Sequence, residues 1–185
     1  MTSIRYHAEI VVGQKAGKSL LPLRPSECEV AMDASVFSRA KAEVIERHGF
    51  FRRWLTEGSA GPEEWERCEQ AFDAEFSMVT PDGSVHGLAE VLERLRKAQG
   101  SMEWRLEIAV EEITPLWLRT NAALIGYVEA QSIGPRRTRR RSSALFEGRA
   151  SAPNGVVWRH LHETWVETRV SSRGEEGRQR KERHQ

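Results

Sequence analysis

Two histidines lie two residues apart in an apolar stretch near the end of the chain. His160 and His162 belong to Val156-Val-Trp-Arg-His-Leu-His-Glu-Thr-Trp-Val166, which contains no Gly or Pro. In a β-strand, alternation would place both on one face, together with Trp158 and Thr164. Histidines in that position are either a general base or polar anchor in a pocket, or hydrogen-bonded residues of the sheet. The sequence leaves both interpretations open.

A second set of polar side chains follows one face of a strand predicted over Leu116–Gln131. This face carries Ala123, Ile125, Tyr127, Glu129 and Gln131. It begins apolar and ends polar, which is typical of a strand that runs from the core to the mouth of a pocket. A glutamate beside an apolar pocket has a raised pKa and can act as a base. The alternative is an exposed cross-strand pair between Glu129 and an arginine such as Arg141.

The candidate catalytic residues are therefore His162, Glu129 and Tyr127. If the strand register brings them together, an imidazole and a carboxylate share a proton near neutral pH, as enolisation or dehydration requires. The alternative register places Arg159 and Glu163 inward instead, because a shift of one residue exchanges the two faces of a strand. His48 lies on an apolar helix face and is expected to be a hydrogen-bonded core residue rather than a base. As ligand-binding residues we expect His160, Arg141, Trp54, Trp65, Phe76 and Trp158.

The sequence contains no motif for a metal or an organic cofactor, and we expect neither. A metal bound by His160 and His162 would need a third ligand, and no nearby residue has the required spacing. Phosphate-binding loops, dinucleotide fingerprints and the motifs of serine or cysteine nucleophiles do not occur in the chain. Cys28 and Cys68 also lack metal-ligand spacing, and we interpret them as reduced thiols of a cytoplasmic protein.

Charge and hydropathy favour a small molecule over nucleic acid or a membrane as the partner. The formal net charge is +1, and the dense basic run Pro135–Arg141 has no aromatic residues between its arginines. We interpret this run as a solvated loop and the start of a strand. No apolar stretch approaches the roughly 20 residues of a membrane span. The first residues also lack the apolar core of a secretory signal.

The elements that position these residues form an early helical part and a late β part. The predicted order is helix, helix, strand, helix and four strands. The first helix begins at a cap formed by Asp33 or Ser35 and ends near Glu57. The remaining elements cover a short helix from residue 62 and about residues 72–80, 87–100, 102–111, 116–131, 138–149 and 156–166. Early helices and late strands indicate an α+β protein with an antiparallel sheet.

The two ends of the chain differ from this central part. Residues 1–31 are predicted to be an extension of ambiguous strand and loop, with a strand over Ile4–Val12. Residues 167–185 contain few apolar side chains and a dense mixture of charges, so we expect a disordered tail. The predicted domain therefore covers residues 32–166.

Two segments of this domain resemble the nuclear-transport-factor-2-like superfamily, which includes ketosteroid isomerase and the SnoaL-like cyclases. Phe72-Asp-Ala-Glu-Phe-Ser-Met-Val-Thr-Pro-Asp-Gly83, followed by a helix opened by Gly87, is similar to the first strand, turn and third helix of that family. Gly155-Val-Val-Trp-Arg-His-Leu-His-Glu-Thr-Trp165 is similar to its closing strand. The resemblance implies a cone-shaped fold, in which a curved, mostly antiparallel sheet wraps around a long N-terminal helix, with about three helices in all.

The resemblance also implies two different functions. One is the binding of a small apolar or aromatic molecule, with isomerase, cyclase or dehydratase chemistry that needs no cofactor. The other is a non-catalytic dimerisation or assembly module with a vestigial cavity, and a homodimer through the outer sheet face is expected. The chain departs from ketosteroid isomerase in having no equivalent aspartate base, since Asp73 and Asp82 lie at a strand edge and in a turn. Fold alone does not transfer an activity.

Overall fold

Three helices and six strands make up the part of the chain that the structure describes. The computed structural model describes residues 25–57, 60–102 and 105–166, with side chains from Val36 onward. The helices are α1 (Pro25–Glu57), α2 (Pro62–Glu69) and α3 (Leu88–Lys97). The strands are β1 (Phe72–Val79), β2 (Val85–Gly87), β3 (Leu106–Arg119), β4 (Ala122–Ile133), β5 (Arg136–Gly148) and β6 (Val156–Trp165).

The strands form one open, curved sheet in the order β2-β1-β6-β5-β4-β3. Each neighbouring pair is antiparallel except β1 and β6, which are parallel. The long helix α1 lies against the concave face and contacts β3, β4 and β6. This arrangement confirms the predicted α+β class, the cone shape and the number of helices.

Apolar side chains of α1 fill the closed end of the cone. Val36, Ala40 and Val44 are fully buried and recur every four residues, so they lie on one side of the helix. They belong to the same core cluster as Phe146 and Trp158 of the sheet. Burying each large apolar side chain contributes about 1.5–3 kcal/mol relative to its exposure. This packing holds α1 across the concave face, so that its C-terminal turns lie toward the open end of the cone.

The largest differences from the predicted boundaries concern α1, β3 and β4. Helix α1 begins at Pro25, before the predicted cap at Asp33 or Ser35, and proline is well tolerated in a first helical turn. Strand β3 continues to Arg119, and the chain reverses at residues 120–121, inside the strand predicted over 116–131. The continuation is irregular: Glu112 has φ 55°, and the pairing with β4 shifts twice, between Glu111 and Thr114 and between Pro115 and Trp117. A strand that bends through such bulges loses the simple alternation on which the prediction depended.

The register of β4, β5 and β6 arranges the concave face in four rows. Residues that lie directly opposite each other in antiparallel strands share a face. From the closed end toward the mouth, the rows are Ala123–Phe146–Trp158, Ile125–Ala144–Leu161, Tyr127–Ser142–Glu163 and Glu129–Arg140–Trp165. The first two rows are apolar and the last two are mainly polar. The predicted change from apolar to polar along β4 is therefore present across all three strands.

A β-bulge in β6 reverses the expected faces of its histidines. Trp158 lies opposite Phe146, but His160 lies opposite Leu145, so Arg159 is an extra residue in β6. One extra residue exchanges the two faces of the strand from that point on. Trp158 therefore faces the concave side with Leu161 and Glu163, whereas His160 and His162 lie on the convex side. The prediction that Trp158 shares a face with both histidines is wrong.

Some sequence predictions concern segments beyond this description. The strand expected over Ile4–Val12 and the tail of residues 167–185 lie outside the described residues.

Cys68 is free and fully buried, and burial raises the pKa of its thiol to about 11. Among the described helices, none is both long and apolar enough to cross a lipid bilayer.

Candidate functional site

The cone contains a cavity of about 190 Å³ between α1, α3 and the concave face of the sheet. Its walls are largely apolar and include Phe51, Leu55, Phe72, Phe76, Val91 and Trp158. An engineered apolar cavity of about 150 Å³ is large enough for benzene. The cavity can therefore hold a molecule about the size of a single substituted ring.

Glu129, on β4, is the most strongly hydrogen-bonded acid in the cavity wall. It accepts hydrogen bonds from His48 of α1 (Nε2 to Oε2, 3.1 Å), from Gln131 and from Arg140 of β5. Burial alone would raise the pKa of Glu129, but the His48 hydrogen bond and the Arg140 charge outweigh it and lower the pKa to about 2. Glu129 is thus ionised and saturated with donors. It holds its neighbours in place and is not available as a base.

His48 joins the helix backbone to this carboxylate. Its Nδ1 lies 2.7 Å from the Val44 carbonyl oxygen, and its Nε2 faces Glu129. Both partners are hydrogen-bond acceptors, so each ring nitrogen faces an acceptor oxygen. His48 therefore links α1 to β4, and the His48 and Glu129 side chains are at most 6% exposed.

Glu163, on β6, lies in the row below Glu129 and has a different environment. It accepts hydrogen bonds from Arg140 Nη1 at 3.2 Å and from the Ser142 hydroxyl at 3.4 Å. Burial raises its pKa; the Arg140 charge opposes this shift, and the nearby Glu129 charge adds to it. The two carboxylates thus have pKa values shifted in opposite directions, a pattern typical of acid–base sites. Glu163 is the group in the cavity that is suited to exchange a proton.

The Tyr127 hydroxyl is fully buried and has no hydrogen-bond partner in the described structure. Ser142 lies opposite Tyr127 and is close enough to favour the phenolate weakly, yet its own hydroxyl is directed at Glu163. Burial, followed by the charges of Glu163 and Glu129, raises the pKa of Tyr127 well above its usual range. The hydroxyl is therefore protonated and free to donate to a ligand. A buried polar group without a partner costs roughly 1–3 kcal/mol, which a ligand acceptor would recover.

A buried network on α1 fixes the floor of the cavity. Glu43 is fully buried and accepts hydrogen bonds from Arg47 Nε (3.0 Å), Trp158 Nε1 (3.1 Å) and Asn154 Nδ2 (2.7 Å). Arg47 also lines the cavity and lies over the Phe50 ring. The network connects α1 to β6 and to the loop before it. The Trp158 indole is thereby held in one orientation at the cavity floor.

The structure brings together four of the residues proposed from the sequence. Tyr127, Glu129, Phe76 and Trp158 all line the cavity. Glu129 does form a cross-strand pair with an arginine, but that arginine is Arg140 instead of Arg141, and the pair is buried instead of exposed.

The other candidates lie elsewhere. His162 is exposed on the convex face, so the expected meeting of His162 and Glu129 in the cavity is wrong. On the same face, His160 Nδ1 lies 2.8 Å from the Ser77 hydroxyl. Arg141 is exposed and pairs with Glu112 at 3.1 Å.

Trp54 and Trp65 are not among the cavity residues. They pack against each other with ring centroids 4.7 Å apart, and the Trp54 indole donates to the Leu95 carbonyl oxygen at 2.7 Å. Both therefore belong to the core between α1, α2 and α3. Among the residues that the structure describes, no three His, Cys, Asp or Glu side chains are grouped as metal ligands.

The sequence interpretation missed the roles of Glu163, Arg140 and His48. The register with Glu163 on the inner face, opposite to His162, is the one that the structure has. Arg140 lies in a basic run whose residues alternate between the two faces, and the sequence does not show that Arg140 is the one that faces the cavity. His48 was expected to be hydrogen-bonded. The periodicity of a helix cannot show that its partner is Glu129 of β4.

Comparison with known proteins identifies structures of the same shape. No family model and no curated protein matches the chain. An NTF-2 like protein of unknown function from Pseudomonas aeruginosa is 27% identical, with a TM-score of 0.63; the match covers 70% of this chain and 99% of that one. The CaMKII hub of S. rosetta has a TM-score of 0.53 at 14% identity over 79% of this chain and 100% of that one. The association domain of C. elegans CaMKII has a TM-score of 0.51 at 12% identity over 70% of this chain and 98% of that one.

Proposed function

Since the chain belongs to the nuclear-transport-factor-2-like superfamily, we propose that it binds a small, uncharged, largely apolar molecule in its cone cavity and exchanges a proton with it through Glu163. A cofactor-independent isomerase, cyclase or dehydratase would use such a site. The observation that carries the proposal is the Tyr127 hydroxyl, which is fully buried in the cavity wall without a protein partner.

The polar groups of the cavity indicate which ligand fits. Glu129, His48, Arg140 and the Trp158 indole already have partners within the protein. Tyr127 therefore offers one donor, and a ligand needs one acceptor oxygen and otherwise apolar surface. A carboxylate ligand would be placed near Glu163 and Glu129 without a free cation to balance it, and burying such a charge is costly. A ketone, aldehyde or ester fits these requirements best.

The proton transfer would take place between the ligand and the Glu163 carboxylate. Its raised pKa makes Glu163 a stronger base than an ordinary glutamate once it is ionised. For a ketone, Glu163 would take a proton from the carbon next to the carbonyl, and the Tyr127 hydroxyl would donate to the enolate oxygen that forms. Return of the proton to another carbon completes an isomerisation. Departure of a leaving group from the enolate completes an elimination.

Two one-ring probes of equal shape test the binding step. Acetophenone has the acceptor oxygen, and α-methylstyrene has a methylene group in its place. We expect the wild-type protein to bind acetophenone about fivefold more tightly, the effect of one hydrogen bond of about 1 kcal/mol. In Tyr127→Phe this preference should be lost or reversed, because the carbonyl oxygen would be buried without a donor. Equal affinities in the wild-type protein would refute the proposal.

Proton exchange in D₂O tests the acid–base step. NMR follows the replacement of the acetophenone methyl protons by deuterium, and we expect the wild-type protein to accelerate it. Glu163→Gln keeps the size of the side chain but has no basic carboxylate, so the acceleration should disappear. Glu111→Gln, which changes an exposed glutamate on β3, is the matched control. An acceleration that survives in Glu163→Gln would exclude Glu163 as the base.

We also propose that the protein self-associates through the convex sheet face, as an assembly module would. On this face the small residues Ala130 and Ser132 of β4 lie between glutamates of β3 and arginines of β5. A two-fold axis along such a face would bring the acidic wall of one copy to the basic wall of the other. Neighbours named as a hub and an association domain are in keeping with this proposal.

Light scattering at micromolar concentration tests the association. We expect a dimer for the wild-type protein and a monomer for Arg139→Glu, which places like charges on both walls. Arg52→Glu on α1, away from this face, is the charge-matched control and should leave the dimer intact. A wild-type monomer would contradict the proposal.

A further inference from the structure

A second space adjoins the cavity at the mouth of the cone. We call it the outer groove and define it by Thr80, Asp82, His86, Arg94 and Trp165; its volume is about 260 Å³. Its walls come from the end of β1 and the loop after it, from β2, from α3 and from the end of β6. Of these segments, β1, α3 and β6 also contribute residues to the inner cavity. The loop directly continues β1.

Residues that line the two spaces are neighbours along three elements. Each element contributes one residue to the inner cavity and one to the outer groove: Met78 and Thr80, Leu95 and Arg94, Glu163 and Trp165. In β6 the members of the pair are two residues apart, so they lie on the same face of the strand. A molecule that leaves the inner cavity along β6 therefore passes from Glu163 to Trp165.

Trp165 provides an apolar surface at this exit. It occupies the last row of the concave face, opposite Arg140, whose guanidinium lies 5.9 Å from the centre of its ring. The side chain is nevertheless 54% exposed. Arg140 is itself fixed by ion pairs with Glu129 and Glu163. It therefore contacts the Trp165 indole on one side, and the rest of the indole is open to the mouth of the cone.

The volumes indicate that a ligand needs both spaces. The inner cavity, at about 190 Å³, is smaller than the roughly 300–1,000 Å³ of ordinary ligand sites, whereas the two spaces together fall within that range. We infer that the natural ligand is elongated: its carbonyl end reaches Tyr127, and its outer part, a second ring or a chain, lies on the Trp165 indole. This inference builds on the proposed function and makes Trp165 a ligand-binding residue that selects for length.

A pair of ketones that differ only in length tests the inference. Acetophenone fills the inner cavity, and 4-acetylbiphenyl adds a second ring that would reach Trp165. We expect the wild-type protein to bind 4-acetylbiphenyl at least tenfold more tightly by calorimetry. Trp165→Ala should lose about tenfold in affinity for 4-acetylbiphenyl, since aromatic stacking and apolar burial are lost, and should bind acetophenone as before. Trp165→Phe should retain most of the preference for the longer probe.

Trp117→Ala is the matched control, because Trp117 is also exposed (42%) and also lies beside an arginine, Arg119. It should bind both probes like the wild-type protein. If Trp165→Ala binds 4-acetylbiphenyl as tightly as the wild-type protein does, or if the wild-type protein does not prefer the longer probe, the inference is wrong while acetophenone binding remains intact. If neither probe binds the wild-type protein, the proposed function itself fails.

Discussion

Replacing Glu129 with leucine should cost more stability than any surface ion pair could provide. Leucine has a similar size but cannot accept the hydrogen bonds from His48, Gln131 and Arg140. An arginine remains charged in every protein environment, so Arg140 cannot respond by losing its charge. Arg140 would then keep Glu163 as its remaining carboxylate partner, in a site where its side chain is 21% exposed.

The magnitude follows from the burial of the network. Removing one member of a buried ion pair typically costs 3–5 kcal/mol because it leaves the partner charge uncompensated. We expect the lower end of that range here, because Arg140 keeps Glu163 as a partner. That is still a large share of the roughly 5–15 kcal/mol by which a domain of this kind is stable. For a slope of about 2 kcal/mol per molar urea, the unfolding midpoint should fall by about 1.5 M.

Urea unfolding, followed by circular dichroism at one fixed protein concentration, measures this shift. Glu93→Leu is the control, because Glu93 on α3 pairs with Lys97 at 2.6 Å but is 63% exposed. Exposed pairs contribute about 0–1 kcal/mol, so the control midpoint should change little. If Glu129→Leu and Glu93→Leu unfold at the same urea concentration, the buried network does not stabilise the fold as the structure implies.

Three further outcomes follow from the structure. His162→Ala should leave the affinity for acetophenone unchanged within twofold, since His162 is exposed on the convex face. A tenfold loss of that affinity in calorimetry would show that His162 does belong to the binding site. The lowered pKa of Glu129 contributes stability that is present above its unfolded pKa of about 4.5 and is lost as the pH falls toward 2. The stability difference between the wild-type protein and Glu129→Gln should therefore shrink over that window in urea titrations, and a constant difference would contradict the assignment. Gly155→Ala should cost about 1–2 kcal/mol in the same assay, because Gly155 has φ 68° and the added Cβ would lie 3.1 Å from Arg39. Gly49→Ala, inside α1 where the added Cβ would make only an ordinary contact with Arg53, should not destabilise the protein.

The β4 face shows what periodicity can predict. Alternation from Ala123 to Gln131 correctly placed Tyr127 and Glu129 on one face and indicated a change from core to pocket. The prediction succeeded because β4 pairs with β5 without a register shift, so the period of two holds along its whole length. Phe76 and Trp158, which were predicted to bind a ligand, also line the cavity.

The β6 face shows where periodicity fails. The extra residue Arg159 exchanges the two faces of β6 from that point on. Nothing in the local sequence marks this bulge, because bulges depend on the pairing with neighbouring strands. Here β1 is also irregular where it pairs with β6, between Phe72 and Ser77. Periodicity alone therefore leaves open whether the two histidines or Glu163 face the cavity, and the bulge turns Glu163 inward. Its partner Arg140 depends on a cross-strand register that no single strand encodes.

The proposed function depends on a hydrogen bond from the Tyr127 hydroxyl to an uncharged ligand oxygen. Carbon-13 NMR of acetophenone labelled at the carbonyl carbon measures this directly, because a hydrogen bond to the carbonyl oxygen moves the carbon signal downfield. We expect a downfield shift on binding to the wild-type protein and its loss in Tyr127→Phe, which still binds the probe. The same shift in both proteins, or a signal at the position found in an apolar solvent for the wild-type complex, would contradict it.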